Sequence, residues 1–484
     1  MTSFHRSRLL RVAGATAAVI FASSQTASLQ KASEVISEAS IRGHMTFLAS
    51  DAMKGRGSGT EDEWRAAVYI GSQMLRWGLE PLGDDGGFVK QIASGRNSVA
   101  APPTLTIRNA RYTHGREILV QSTGGGTATG PLTIYQAGAA VPAGSAVFVP
   151  EGVTPDATEI APAALVVTVE TPQVHANWAT AGAQLPGVGG RGGRAGGRGG
   201  APASTAAQIV MARATFDGVV TLVAPGTPVA FQMDTKPGYT WDAIGRLTGS
   251  DPKLRDQVIL LTAHLDHLGV RGTGPDTIYN GADDDASGST AVLELCEAIA
   301  KGKRPKRTVI CAWFGSEESG GAGARAFLDQ PPVPLAQIAA NLEFEMIANR
   351  DAAVPPHTLW LTGYDCSTLG PDLAKQGAKI VADPHPEQGF FSRSDNIQLA
   401  RRGIIAQTVS SFDVNRKPST YHQATDEVST VDFAHMTDAI RSMLAPVLWL
   451  ANSSYQPTWL EGKDPSKGGN CGARAGRGGG AGGR

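Results

Sequence analysis

Five short segments gather the side chains able to hold metal ions: AHLDHLG from Ala263, NGADDDASG from Asn280, GSEESG from Gly315, EFEMI from Glu343 and YHQATDE from Tyr421. They offer His264, Asp284, Glu318, Glu345 and His422 as ligands. Carboxylates with imidazoles suit zinc in four- or five-coordinate geometry, with one position left for water. Five side chains supply two zinc ions with three protein ligands each only if one carboxylate bridges, and Asp284 is the natural bridge. Each segment alone has a bland reading: a histidine after a strand is usually structural, an aspartate-rich turn a loop, a glutamate pair a solvated face. Their joint occurrence at the ends of successive strand-like runs is what argues for a site. His267, Asp283 and Asp285 are read as shaping the loops and stay outside the cage. Glu343 lies two residues from Glu345 on the same strand face, so an exchange of roles between them stays open.

The elements that must position these residues begin at Trp241. Strand-like runs at Val258–Thr262, Thr308–Phe314 and Leu342–Ile347 alternate with helical stretches at Ser289–Ala300 and Gly323–Leu328. Such alternation implies an α/β layer architecture with a largely parallel sheet, whose strand ends gather ligands. Upstream, Ile41, Met45 and Leu48, then Ala67, Ile70, Met74 and Trp77, recur at helical spacing and predict two amphipathic helices. Between Pro102 and Lys236 short β-branched runs (Thr104–Ile107, Ser145–Val149, Ala164–Val169, Val219–Val223) separated by Gly, Pro and Thr read as an all-β insert. Within it, the glycine-arginine run 187–200 is too glycine-rich to pack, as is the tail from Gly468 to Arg484, and both read as disordered. RNA binding by these runs is set aside, because they lack interleaved aromatics.

A chain of 484 residues exceeds the roughly 250–300 at which single cores stop growing, so two structural units are expected. A net charge of −1 names no nucleic-acid partner. His5, Arg6, Arg8 and Arg11 precede a short apolar run from Val12 to Ala22, the pattern of a cleaved export leader; the run is shorter than the roughly 20 residues of a membrane anchor. The expected organisation is a leader at 1–27, a catalytic unit of 28–101 with 237–455, the insert 102–236 and a disordered tail 456–484. A secreted or periplasmic protein with no membrane attachment after cleavage follows. Cys296, Cys311, Cys366 and Cys471 show no CxxC spacing, so neither a thiolate zinc site nor a disulfide framework is expected; Cys296 and Cys311 read as core thiols.

The motifs HLD, GADDDASG, SEESGG and YHQ, in this order, resemble those of the co-catalytic zinc aminopeptidases of metallopeptidase family twenty-eight, the family of glutamate carboxypeptidase II and the glutaminyl cyclases. The resemblance spans about residues 33–452. It implies a three-layer α-β-α zinc exopeptidase fold with a mixed, largely parallel sheet, and an insert similar to a protease-associated domain. By motif position it implies two zinc ions, one on His264 and Glu345, the other on Glu318 and His422, with Asp284 bridging. Asp266 is then expected behind His264, fixing its tautomer, and Asp426 behind His422. Glu317, adjacent to a ligand and unable to reach the same ion, is expected to be the general base, with Tyr421 hydrogen-bonding the oxyanion. The family's aminopeptidases commonly carry Asp where this chain has Glu345.

The implied activity is release of N-terminal residues from peptides. A carboxypeptidase acting on acidic C-termini, with Arg393 or Arg401–Arg402 as anion partners, and a glutaminyl cyclase are the enzymatic alternatives. A receptor-like homologue that has lost catalysis is the alternative of another class, and here no ligand is missing. Residue preference and oligomeric state are not legible.

Overall fold

The computed structural model describes residues 33–183, 185, 206–271 and 275–471. Helix α1 (Glu38–Leu48) starts where the Ser37 hydroxyl accepts from the Ser40 N–H, and it buries Ile41, Met45 and Leu48. Helix α2 (Glu61–Arg76) is capped by Thr60, carries Glu61, Asp62 and Glu63 in its first turn where the helix dipole favours them, and buries Ala67, Ile70 and Met74.

A nine-stranded sheet forms the centre. Its strands are β1 (Glu80–Pro81), β2 (Val89–Val99), β3 (Thr235–Leu247), β4 (Val258–His264), β5 (Thr308–Phe314), β6 (Ile338–Phe344), β7 (Leu359–Leu361), β8 (Ile380–Ala382) and β9 (Ala406–Ser410). They lie in the order β1-β3-β5-β4-β6-β9-β7-β8, with β2 also paired to β3. β4 runs parallel to both neighbours and β6 parallel to β9, whereas β3 is antiparallel to β5 and β7 antiparallel to β9. Every residue of β4, β5 and β6 is buried, as strands covered on both faces require.

Alternation along β4 assigns the two layers. Leu261 and Ala263 pack with Ile41, Ile70, Val292 and Met443, from α1, α2, α3 (Gly288–Lys301) and the long helix Phe433–Asn452. Leu260 packs oppositely with Phe327 of α4 (Ala322–Asp329) and with Leu399 of α5 (Asn396–Ala400). Helices thus cover both faces, the three-layer arrangement expected.

Strands β2 and β3 pair from Thr235↔Val99 inward and bracket the insert. The insert departs from the all-β expectation. It holds an eight-stranded mixed sheet in which Ala128–Ile134, Ala146–Val149, Leu165–Val169 and Ala207–Met211 run parallel. The run Val219–Val223 belongs mostly to a helix, Arg213–Leu222, because burying Phe216 and Val219 against the sheet outweighs β propensity.

The C-terminal segment also differs. Cys366 and Cys471, 105 residues apart, form a disulfide, and the Leu460 N–H donates to the Cys366 carbonyl at 2.9 Å. Residues 456–471 are therefore held to the segment after β7 rather than loose. Sequence spacing reports only local cysteine pairs, so this long-range bond was invisible there. Cys296 and Cys311 are buried free thiols, as expected. The leader, the run 187–200 and residues 472–484 lie outside the described residues. No described helix is long and apolar enough to cross a membrane.

Candidate metal centre

The ligand candidates sit at the carboxyl ends of the central strands. His264 is the last residue of β4, Glu318 lies four residues beyond β5, and Glu345 directly follows β6. Asp284 lies in the segment Ala282–Ser287 that leads into α3, and His422 in the loop after β9. The structure brings all five together. His264 Nε2 is 3.3 Å from Asp284 Oδ1, and His422 Nε2 is 3.1 Å from Asp284 Oδ2 and 3.2 Å from Glu318 Oε1. Donor atoms of His264, Asp284 and Glu345 form one compact group, and those of His267, Asp284 and Glu318 another. Asp284 belongs to both, which is what a bridging carboxylate requires.

The donors fit zinc on a test independent of motif. Zn–N and Zn–O bonds of about 2.0–2.1 Å in a tetrahedron place donors about 3.3 Å apart, which these separations match. Among the described residues, His264 Nε2 and Glu318 Oε1 are buried yet have no hydrogen-bond partner. Buried polar atoms are rarely left so, unless their lone pairs serve something else.

The electrostatics agree. Burial raises the Glu318 carboxyl and Asp284 raises it further, but His267 and His422 draw it down to about 2. Burial lowers the His422 imidazole, whereas Asp284 and Glu318 lift it to about 10. Burial, and secondarily Glu343 and Asp284, push Glu345 up to about 8 against the pull of His264.

The supporting residues refine the expectations. The His264 Nδ1 lies 3.2 Å from the Asp266 backbone carbonyl, while the Asp266 carboxylate is 3.7 Å away. That carboxylate instead accepts from the Glu317 N–H at 3.0 Å and from the Ser58 hydroxyl. Asp266 therefore sets the Glu317 turn with its side chain and the imidazole with its carbonyl. Asp426 does not stand behind His422; its oxygens accept from the Asp283 and Asp284 N–H groups at 2.9 and 3.1 Å. Asp283 and Asp285 shape loops as expected, accepting from Ala348 N and from Met346 N respectively.

Glu343 is occupied elsewhere, accepting from Ser394, Asn396 N and Thr408 at 2.7–3.1 Å. The exchange left open is thereby resolved geometrically: Glu345, not Glu343, lies among the donors. Burial, with Asp395, Glu318 and Glu345, raises the Glu317 carboxyl well above the usual range against the pull of His264. The Tyr421 ring stacks on His422 at 3.9 Å, and its hydroxyl accepts from Arg393 Nη2 at 3.3 Å. Ser316, Met346 and His422 all have positive φ, flanking or forming the site, a backbone strain typical of functional loops.

Two contributors lie outside the five expected ligands and their expected supports. One is His267. The other is Arg56, which is 1% exposed and donates to four carbonyls: Leu265 at 3.0 Å, Leu48 at 2.5 Å, Asn280 at 2.8 Å and Gly281 at 2.9 Å. It clamps the His264 loop to the Asp284 loop. Beside the site, Met346, Trp360, Phe390 and Phe412 form the apolar side of a pocket that Glu345, Thr362, Thr408, Ser410, Tyr421 and Arg393 complete.

Residues 242–447 match the family model described as peptidase family M28. Over 186 residues the chain is 29% identical to leupeptin-inactivating enzyme 1 of Streptomyces exfoliatus, covering 38% of this chain and 39% of that one. Over 212 residues it is 26% identical to leucine aminopeptidase 1 of Ajellomyces capsulatus (strain NAm1 / WU24), covering 41% and 54%. The chain thus spans between two fifths and just over half the length of these relatives. The zinc aminopeptidase of Bacillus subtilis superposes with a TM-score of 0.51 at 15% identity, over 87% of this chain and 96% of that one, which shows the shared fold. The stretch 242–447 that matches the M28 family model carries every ligand candidate, from His264 to His422.

Proposed function

We propose that the chain is an exported di-zinc metallopeptidase, an aminopeptidase that releases N-terminal residues from peptides. The carrying observation is the convergence of His264, Glu345, Glu318 and His422 on Asp284, with the buried His264 Nε2 and Glu318 Oε1 left without hydrogen-bond partners among the described residues. His264 and Glu345 would hold one zinc and Glu318 and His422 the other, with Asp284 shared. Bound zinc would supply Lewis acidity toward the scissile carbonyl and a water of lowered pKa. Glu317 would take a proton from the attacking water as its oxygen bonds to the carbonyl carbon, and would return it to the amine as the C–N bond breaks. Tyr421, its hydroxyl held by Arg393, donates to the oxygen that gains charge. Export is supported by the leader pattern and by the Cys366–Cys471 disulfide, a bond that persists in oxidising compartments.

Arg393 on the pocket border favours one second reading, a carboxypeptidase of the glutamate carboxypeptidase II type. Amino-acid p-nitroanilides set against peptides blocked at either end decide between them. Hydrolysis that requires a free amino group supports the aminopeptidase; cleavage of only acyl-capped peptides overturns it.

A further inference from the structure

His267 is the second imidazole of AHLDHLG and is not among the five ligands that the resemblance implies. It is fully buried, and its Nδ1 lies 2.9 Å from Glu318 Oε1 and 3.9 Å from Asp284 Oδ2. Despite that proximity, neither His267 Nδ1 nor Glu318 Oε1 has a hydrogen-bond partner among the described residues. At 2.9 Å the two atoms attract electrostatically, but they do not form a hydrogen bond that would satisfy either. An imidazole that merely oriented Glu318 would point its N–H along the line to the oxygen. Two unpaired acceptors that close together instead share a third point.

His422 Nε2 completes the same group, at 3.1 Å from Asp284 and 3.2 Å from Glu318, with the two imidazole rings 5.8 Å apart and near perpendicular at 69°. The local backbone is built to hold His267 there. Its N–H donates to the Arg56 carbonyl at 3.1 Å. Gly281, at φ 60°, leaves room for the ring: a Cβ there would stand 2.5 Å from the His267 Cγ. Any other residue would drive the imidazole away from Asp284.

We infer that His267 is a direct ligand, through Nδ1, of the zinc ion held by Glu318 and His422. This rests on the di-zinc reading of the site. It makes the two positions unequal. The Glu318 position has four protein donors (His267, His422, Glu318 and the shared Asp284), enough to fill a tetrahedron. The His264 position has three and keeps a place for water and substrate. The first is then the tightly held ion and the second the exchangeable, catalytic one.

X-ray absorption spectroscopy of the zinc-loaded full chain, with metal content measured on the same sample, tests this. The expected result is two zinc ions per chain sharing three imidazoles, falling to two imidazoles in His267→Gln, with affinity for the tightly held ion reduced at least about tenfold against a competing chelator. Two zinc ions sharing only two imidazoles in the unaltered chain would overturn the inference and leave the di-zinc reading intact. Fewer than one zinc per chain would overturn that reading itself. The measurement on the unaltered chain stands even if His267→Gln fails to fold.

Discussion

The Glu317 N–H donates to Asp266 Oδ1 at 3.0 Å, so the carboxylate two residues after His264 fixes the turn that carries the proposed base. This joins the end of β4 to the loop after β5 across 51 residues of sequence. Asp266→Ala frees that turn while leaving the Asp266 carbonyl on the imidazole. Steady-state kinetics with zinc in excess should show kcat reduced by about 10- to 100-fold, the usual scale for residues that support ligands, with zinc content kept. An unchanged kcat would remove Asp266 from the account.

Glu317→Gln keeps the shape of the side chain and removes its capacity to accept a proton. Hydrolysis should fall by about 10²- to 10⁴-fold with bound zinc unchanged. Turnover at the original rate would refute Glu317 as the base.

Arg56 should matter chiefly to the fold. Arg56→Met leaves four buried carbonyls without their donor, each costing about 1–3 kcal/mol where no water replaces it. Urea unfolding should show a loss of at least about 3 kcal/mol. A loss below about 1 kcal/mol would mean that the two ligand loops hold together without the clamp.

Much of the site was legible in the sequence because each ligand lies in a motif of a few residues, and the alternating runs fix which motifs follow strands. What escaped depended on contacts distant in sequence. Asp426 reaches the Asp283 and Asp284 backbone from 142 or 143 residues away, and Arg56 reaches Asn280 across 224. His267 was passed over because a histidine three residues after a ligand reads as loop filling until its unpaired nitrogen is seen. The helix Arg213–Leu222 was mistaken in part for a strand because Val219, Val220 and Val223 are β-branched, a local preference that packing overrides. Cys366 and Cys471 carried no local sign of their bond.

Away from the metal centre, Glu294 of α3 and His44 of α1 face each other at 3.7 Å. Burial pushes the Glu294 carboxyl up to about 8 and the His44 imidazole down to about 4. The folded chain keeps both neutral. The raised acid binds its proton more tightly than the unfolded chain does, so its contribution to stability is full below about pH 4.5 and is lost as pH rises to about 8. The depressed imidazole acts oppositely between about pH 4 and 6.5, so the net loss falls between about 6.5 and 8. Glu294→Gln should remove about 2 kcal/mol of that loss, read as the difference in urea stability between pH 6.5 and 8 for the two proteins. Parallel pH profiles would contradict the neutral pair.

Zinc titration of the metal-free chain, following hydrolysis of an amino-acid p-nitroanilide, tests the central claim most directly. The expected result is no turnover without metal and full activity when about two zinc ions per chain are bound, one tightly and one more weakly. Full activity in the metal-free chain, or fewer than about one tightly bound zinc per chain, would contradict it.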